Sequence, residues 1–157
     1  GLGVSKALGD LAGPCFFALM MGTSRVIYAR ISHRVELTRF MAVCGALCAV
    51  SYLLAVFSPR PALSLAGCGL CGFSVGIMWP GTFSLAARGL PTGGNAMFAL
   101  LALAGDLGCT SGPTIVGLVS GLLGGQLRFG LLAAIVFPLV LLFLILVFRR
   151  FLQPKNA

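Results

Sequence analysis

The chain has 157 residues, of which 59% are hydrophobic and only 9% are charged, and its formal net charge is +8. A soluble domain carries about 25% charged residues, so this composition is typical of a membrane protein. The positive charge does not indicate nucleic-acid binding, because nearly all the cations lie between long apolar runs, as in the loops of membrane proteins. We therefore expect the lipid bilayer as a partner and no nucleic acid.

Five apolar runs predict five transmembrane helices. Each is long enough to cross a hydrocarbon core of about 30 Å, and none shows the alternation of a membrane β-strand. The predicted fold is therefore all-α, a polytopic membrane helix bundle. Residues 1–10 are predicted to be a loop that follows a missing helix, and residues 11–157 to be one partial domain. We therefore expect the chain to be a fragment of a longer protein. The helices are predicted at residues 11–29, 40–57, 62–87, 95–123 and 129–148.

The distribution of Lys and Arg predicts the orientation of these helices. Eight cations lie at one set of helix ends and three at the other. Because cytoplasmic loops are enriched in Lys and Arg, the first-to-second loop, the third-to-fourth loop and the C-terminus are predicted to be cytoplasmic. The N-terminus then faces outside. The protein is expected to be integral to the cell membrane, either a plasma or an inner membrane.

Three arginines lie at the predicted cytoplasmic end of the first helix: Arg25, Arg30 and Arg34. The ordinary interpretation is an orientation signal that contacts lipid headgroups. His33, the only histidine, has no partner residue in the sequence that would make it catalytic or metal-binding. The six cysteines lie inside apolar runs and are interpreted as small packing residues. No metal site and no cofactor are predicted.

The third helix carries glycines, a proline and two aromatic residues on one face. Gly72 and Gly76 form a Gly-x-x-x-Gly pair, which permits close helix approach. Pro80 removes a backbone hydrogen bond and should kink the helix. Trp79 and Phe83 beside the kink are interpreted either as a gate or ligand platform, or as packing and interfacial anchoring. The second is favoured, because Trp79 lies about 25 Å from the outer end of the helix.

The fourth helix contains Asp106 about 16 Å from its first residue, close to the bilayer midplane. An intramembrane carboxylate is costly, so this side chain must face protein or a water-filled cavity. It shares a small, partly polar face with Thr110. The functional interpretation is a coupling or substrate-binding carboxylate, and the structural one is a protonated Asp bonded to a neighbouring helix. Close packing or bending is also predicted for Gly108, Gly112, Pro113 and Gly117.

Two stretches resemble the major facilitator superfamily. The sequence GTSRVIYARISHR resembles the superfamily motif between helices 8 and 9, with matches at Gly22, Arg25, Arg30 and Arg34. The sequence GIMWPGTFSLAARGL and the helix after it resemble helices 10 and 11, and Met-Trp-Pro-x-x-Phe-Ser-Leu-Ala is most similar to the fucose and glucose/galactose permease branch. The resemblance implies that the five helices are helices 8 to 12 of a twelve-helix transporter.

This resemblance implies secondary active transport of a small solute by alternating access, in concert with a missing N-terminal half. Proton symport and a sugar-like substrate are the forms that it suggests. The substrate or coupling residues would be Asp106, Thr110, Trp79 and Phe83. Gly72, Gly76 and Pro80 would support bending, while Arg25 with Arg34 would close a cytoplasmic gate.

Two other classes of function were weighed against transport. No phosphate loop, nucleophile elbow, paired-histidine zinc motif or dinucleotide glycine pattern occurs, so no enzymatic activity is predicted. The alternative is a non-transporting, membrane-embedded helix bundle that serves as an interaction or assembly subunit. In such a subunit, Asp106 would only hold helices together.

Overall fold

The computed structural model describes residues 6–58 and 60–152, and within them the side chains of residues 11–58, 60 and 62–147. These residues form seven α-helices and contain no strand. α3 and α4 form one span with a short break, as do α6 and α7. The helices are α1 (Lys6–Ile31), α2 (Leu37–Phe57), α3 (Pro61–Val75), α4 (Met78–Gly89), α5 (Gly94–Leu122), α6 (Leu127–Ala134) and α7 (Val136–Leu152).

The seven helices group into five spans that are long and apolar enough to cross a membrane. This confirms the predicted number of spans and the all-α class. Every boundary of these spans lies within three residues of the predicted one. The spans cover residues 11–31, 37–57, 62–89, 94–122 and 127–147.

α1 begins inside the predicted loop over residues 1–10, which corrects that prediction for residues 6–10. The backbone is helical from Lys6, and residues 1–5 lie outside the described part of the chain. Lys6, Ala7 and Leu8 are good helix formers, which accounts for the longer helix. Pro14 is accommodated inside α1 without ending it.

Both helix breaks lie just before a proline. The first falls at Gly76 and Ile77, ahead of Pro80, and the second at Ile135, ahead of Pro138. Proline has no N–H, and its ring crowds the carbonyl four residues earlier, so each break follows from a lost hydrogen bond. The kink expected from Pro80 corresponds to the first break. The second was not predicted, although Pro138 offers the same signal.

α2 lies at the centre of the bundle. It packs against α3 on one side and α7 on the other, while α1 packs on α3 and α5 packs mainly on α6. Apolar side chains from α2, α7 and the broken third span meet in one buried cluster: Leu37, Met41, Cys44, Ile77, Leu85 and Ile145. α1 and α5 are therefore the outermost helices, and the described residues leave most of their surfaces uncovered.

Candidate functional site

Gly72 on α3 and Gly76, the residue that follows α3, lie directly against the backbone of α1. A methyl group on Gly72 would collide with the carbonyl oxygen of Phe17, and one on Gly76 would lie 2.6 Å from the carbonyl oxygen of Met21. This approach is possible only because both positions lack a Cβ, which is how small residues let membrane helices pack closely. The Gly-x-x-x-Gly pair of the third span thus has α1 as its partner.

Arg25 on α1 reaches the break between α3 and α4. Its Nε donates a hydrogen bond of 2.9 Å to the carbonyl oxygen of Gly76. Pro80 leaves this carbonyl without its helical donor. Ser24, next to Arg25, is fully buried, and its Oγ has no hydrogen-bond partner among the described residues. The break is therefore a polar point within the contact between α1 and α3.

The other residues of the motif-like stretch lie away from this contact. Gly22 is exposed, with nothing within 4 Å of the position that a Cβ would take. Together with Arg30 it lines an open groove on the free face of α1. Arg34 donates from Nε to Nε2 of His33 at 3.1 Å. Arg25 and Arg34 therefore donate to different acceptors, the carbonyl oxygen of Gly76 and the ring of His33.

Trp79 and Phe83 connect α4 to α5. Their ring centroids lie 4.7 Å apart, and Phe83 in turn stacks on Phe98 of α5 at 5.6 Å. The tip of the Trp79 ring lies against Gly105, which directly precedes Asp106. Trp79 nevertheless keeps 48% of its surface exposed. The aromatic group therefore packs two helices together and leaves one ring accessible.

Asp106 lies on a face of α5 that no described residue covers. Its side chain is exposed, and its carboxylate has no hydrogen bond or ion pair with another described residue. Thr110, one turn later, donates from Oγ1 to the carbonyls of Asp106 and Leu107 at 2.9 and 3.0 Å, so its hydroxyl proton is directed to its own helix. Below it, an open groove continues along α5 past Ser111 and Thr114.

The small residues of α5 are uncovered on more than one side of the helix. Nothing lies within 4 Å of the position that a Cβ would take at Gly108, Gly112 or Gly117. Pro113 does not break the helix, which continues from Gly94 to Leu122. The close packing expected of these glycines therefore has no partner among the described residues.

Two contacts between helices were missed in the sequence. Arg128 donates from Nε and Nη2 to the carbonyl oxygen of Val56 at 3.1 and 2.9 Å, which satisfies a carbonyl at the end of α2. Gly130 on α6 lies so close to α5 that an added Cβ would collide with the carbonyl oxygen of Val116 and the Oγ of Ser120. The sequence places both residues near the start of the predicted fifth helix. It does not reveal their partners, because these depend on how helices distant in sequence pack together.

The cysteines lie between helices rather than in one site. Cys71 Sγ lies 4.0 Å from Cys48 Sγ on α2, whereas Cys68 Sγ donates to the carbonyl oxygen of Gly13 on α1 at 3.7 Å. The two cysteines of the Cys-x-x-Cys sequence, Cys68 and Cys71, therefore contact two different helices. Across the described residues, no group of three or more His, Cys, Asp or Glu side chains is placed to hold a metal ion.

Comparison with protein-family models, with curated proteins and with solved structures found no match to this chain. The geometry of the bundle is therefore the basis for a functional assignment. It defines a helical membrane protein with five candidate spans, two of them broken before a proline, and with a carboxylate on an uncovered helix face.

Proposed function

We propose that this chain is part of a secondary active transporter of the major facilitator type. Its five spans are helices 8 to 12 of twelve, with a cytoplasmic C-terminus, and the whole transporter moves a small solute across the cell membrane by alternating access. The resemblance of two sequence stretches supports this assignment. The broken third span also supports it, because transporters bind their substrates where helices are interrupted near the midplane.

Asp106 is the observation that carries the proposal. An ionisable side chain inside a membrane is costly, and such residues mark substrate or ion pathways. No described residue pairs with this carboxylate. In the proposed transporter it faces the central cavity, where it takes up a proton or binds the solute. The remaining helices, including the N-terminal half, cover the free faces of α1 and α5.

A sugar-like solute suits the residues around Asp106. The accessible ring of Trp79 offers an apolar surface on which a sugar ring can stack, and a carboxylate accepts hydrogen bonds from sugar hydroxyls. A site with one aromatic wall and one polar anchor is the usual arrangement for small-molecule recognition. Proton symport follows if the same carboxylate exchanges a proton during each cycle.

The replacement Asp106→Asn in the full-length protein tests this role. The amide keeps the shape of the side chain but cannot take up a proton. We expect proton-driven uptake to be nearly abolished, while exchange of labelled for unlabelled solute at equal concentrations continues. Uptake into proteoliposomes under an imposed pH gradient measures both. Glu36→Gln is the matched control, because it makes the same chemical change outside the five spans.

The outcomes separate transport from the alternative. Unchanged proton-driven uptake in Asp106→Asn would contradict the coupling role. If the unaltered full-length protein carries no solute in the same assay, an assembly subunit becomes the better interpretation.

A further inference from the structure

The break in the third span creates a specific chemical requirement. Pro80 cannot donate a backbone hydrogen bond, so the carbonyl of Gly76 loses the donor that a continuous helix would provide. In water, such a carbonyl would be hydrated. In hydrocarbon, an unpaired carbonyl is strongly unfavourable. The interrupted span therefore needs a donor from another part of the molecule at this point.

Arg25 supplies that donor across a separation of 51 residues, with its Nε 2.9 Å from the Gly76 oxygen. The approach depends on the missing side chain of Gly76, because a Cβ there would lie 2.6 Å from the carbonyl oxygen of Met21 and 3.0 Å from Cβ of Ser24. Arg25 follows Met21 by one helical turn. The close approach of the two backbones thus brings the guanidinium group to the carbonyl.

We propose that Arg25 is a positioning residue that replaces the hydrogen bond removed by Pro80 and thereby ties α1 to the break between α3 and α4. α1 and the break then move as one unit, because separating them would leave the carbonyl of Gly76 without a donor. This role goes beyond transport and does not depend on it, since it concerns only how the break is held.

A general role for Arg25 has to be distinguished from this specific one. Any cation near the cytoplasmic end of a span favours one orientation and contacts lipid headgroups. Arg30 on the same helix offers a matched control. It is exposed on the free face of α1, and its guanidinium group makes no hydrogen bond with a described residue. A general effect of charge would appear equally at both positions.

A double-mutant cycle between Arg25 and Pro80 tests the proposal. Arg25→Met removes the donor but keeps an apolar stem, and Pro80→Ala restores a backbone N–H that can reach Gly76. We expect Arg25→Met to lower the midpoint of thermal unfolding in detergent by about 5 °C when Pro80 is present. In the Pro80→Ala background the same change should shift the midpoint very little. Arg30→Met should have the same effect in both backgrounds.

Hydrogen–deuterium exchange of peptides that cover residues 74–82 provides a local readout. Arg25→Met should accelerate exchange in this segment several-fold, because the hydrogen bonds on both sides of the break open more often. Adding Pro80→Ala should reverse the acceleration. Arg30→Met should leave exchange in this segment unchanged.

The cycle decides the proposal in every case. Equal effects of Arg25→Met in the two backgrounds, on the midpoint and on local exchange, would overturn it. If Arg25→Met does not fold while Arg25→Met with Pro80→Ala does, the proposal is supported. If neither variant folds, Arg25 acts through something other than the carbonyl that Pro80 leaves free, and the proposal fails.

Discussion

α3 and α5 carry the same sequence feature in opposite surroundings. Both contain glycines at helical spacing, and both contribute to predicted spans. In the third span, Gly72 and Gly76 lie against the backbone of α1, whereas on α5 the space beside Gly108 and Gly112, which have the same four-residue spacing, is empty within 4 Å. The comparison shows that a stripe of small residues marks a face capable of close contact, and that the contact itself depends on which helix lies opposite.

The largest effect is expected when one methyl group is added to α3, and the same addition to α5 serves as the comparison. Gly72→Ala places a Cβ against the carbonyl oxygen of Phe17, and backbone cannot yield as a flexible side chain does. Overpacking of this kind costs about 1–3 kcal/mol. Gly117→Ala has free space around it and should stabilise the chain by about 0.5–1 kcal/mol, since alanine is the better helix former. Thermal unfolding in detergent measures both changes.

The same pair of variants also sharpens the comparison in the full-length protein. If further helices cover α5, Gly117→Ala changes sign there and becomes destabilising, while Gly72→Ala stays destabilising. Two substitutions with the same sign in the 157-residue chain would contradict the difference seen between the two helices.

Gly130→Ala tests the tight contact between α5 and α6. The added methyl group would meet the carbonyl oxygen of Val116 and the Oγ of Ser120. The expected destabilisation is about 1–2 kcal/mol, less than at Gly72 because one of the two neighbours is a side chain that can rotate. The loop before α6 should become more accessible to protease. The midpoint of thermal unfolding should fall. Gly108→Ala, which has no neighbour, is the control.

The smallest destabilisation is expected at Arg128, which joins the end of α2 to the start of α6. Arg128→Gln removes the bidentate hydrogen bond to the carbonyl of Val56. The expected loss is about 1 kcal/mol, because this carbonyl lies at a helix end where water can replace the guanidinium group. Chemical denaturation of the purified chain would detect it. A loss as large as that from Gly72→Ala would mean that this end of α2 is shielded from water.

The five spans could be predicted from sequence because hydropathy and length are local properties. The partner of Gly72 could not, because a Gly-x-x-x-Gly pair specifies a close contact without naming the second helix. The hydrogen bond from Arg25 to Gly76 could not be predicted either, because it also requires knowing which helix packs against the third span. Only the loss of the helical donor to the Gly76 carbonyl follows from the position of Pro80 in the sequence. The position of Asp106 along the fourth span follows from counting residues, whereas the faces of α5 that lack a partner became visible only when the described helices were placed.

The two longest spans respond differently to the thickness of the membrane. The third span has 28 residues and the fourth has 29, so each rises about 42–44 Å as a continuous helix, against a hydrocarbon core of about 30 Å. α5 is unbroken and relieves this mismatch by tilting or by extending into the headgroups. The third span has a joint, and bending there shortens its projection along the membrane normal. A thinner bilayer therefore favours a sharper angle between α3 and α4, which makes the break a point where lipid thickness acts on the shape of the bundle.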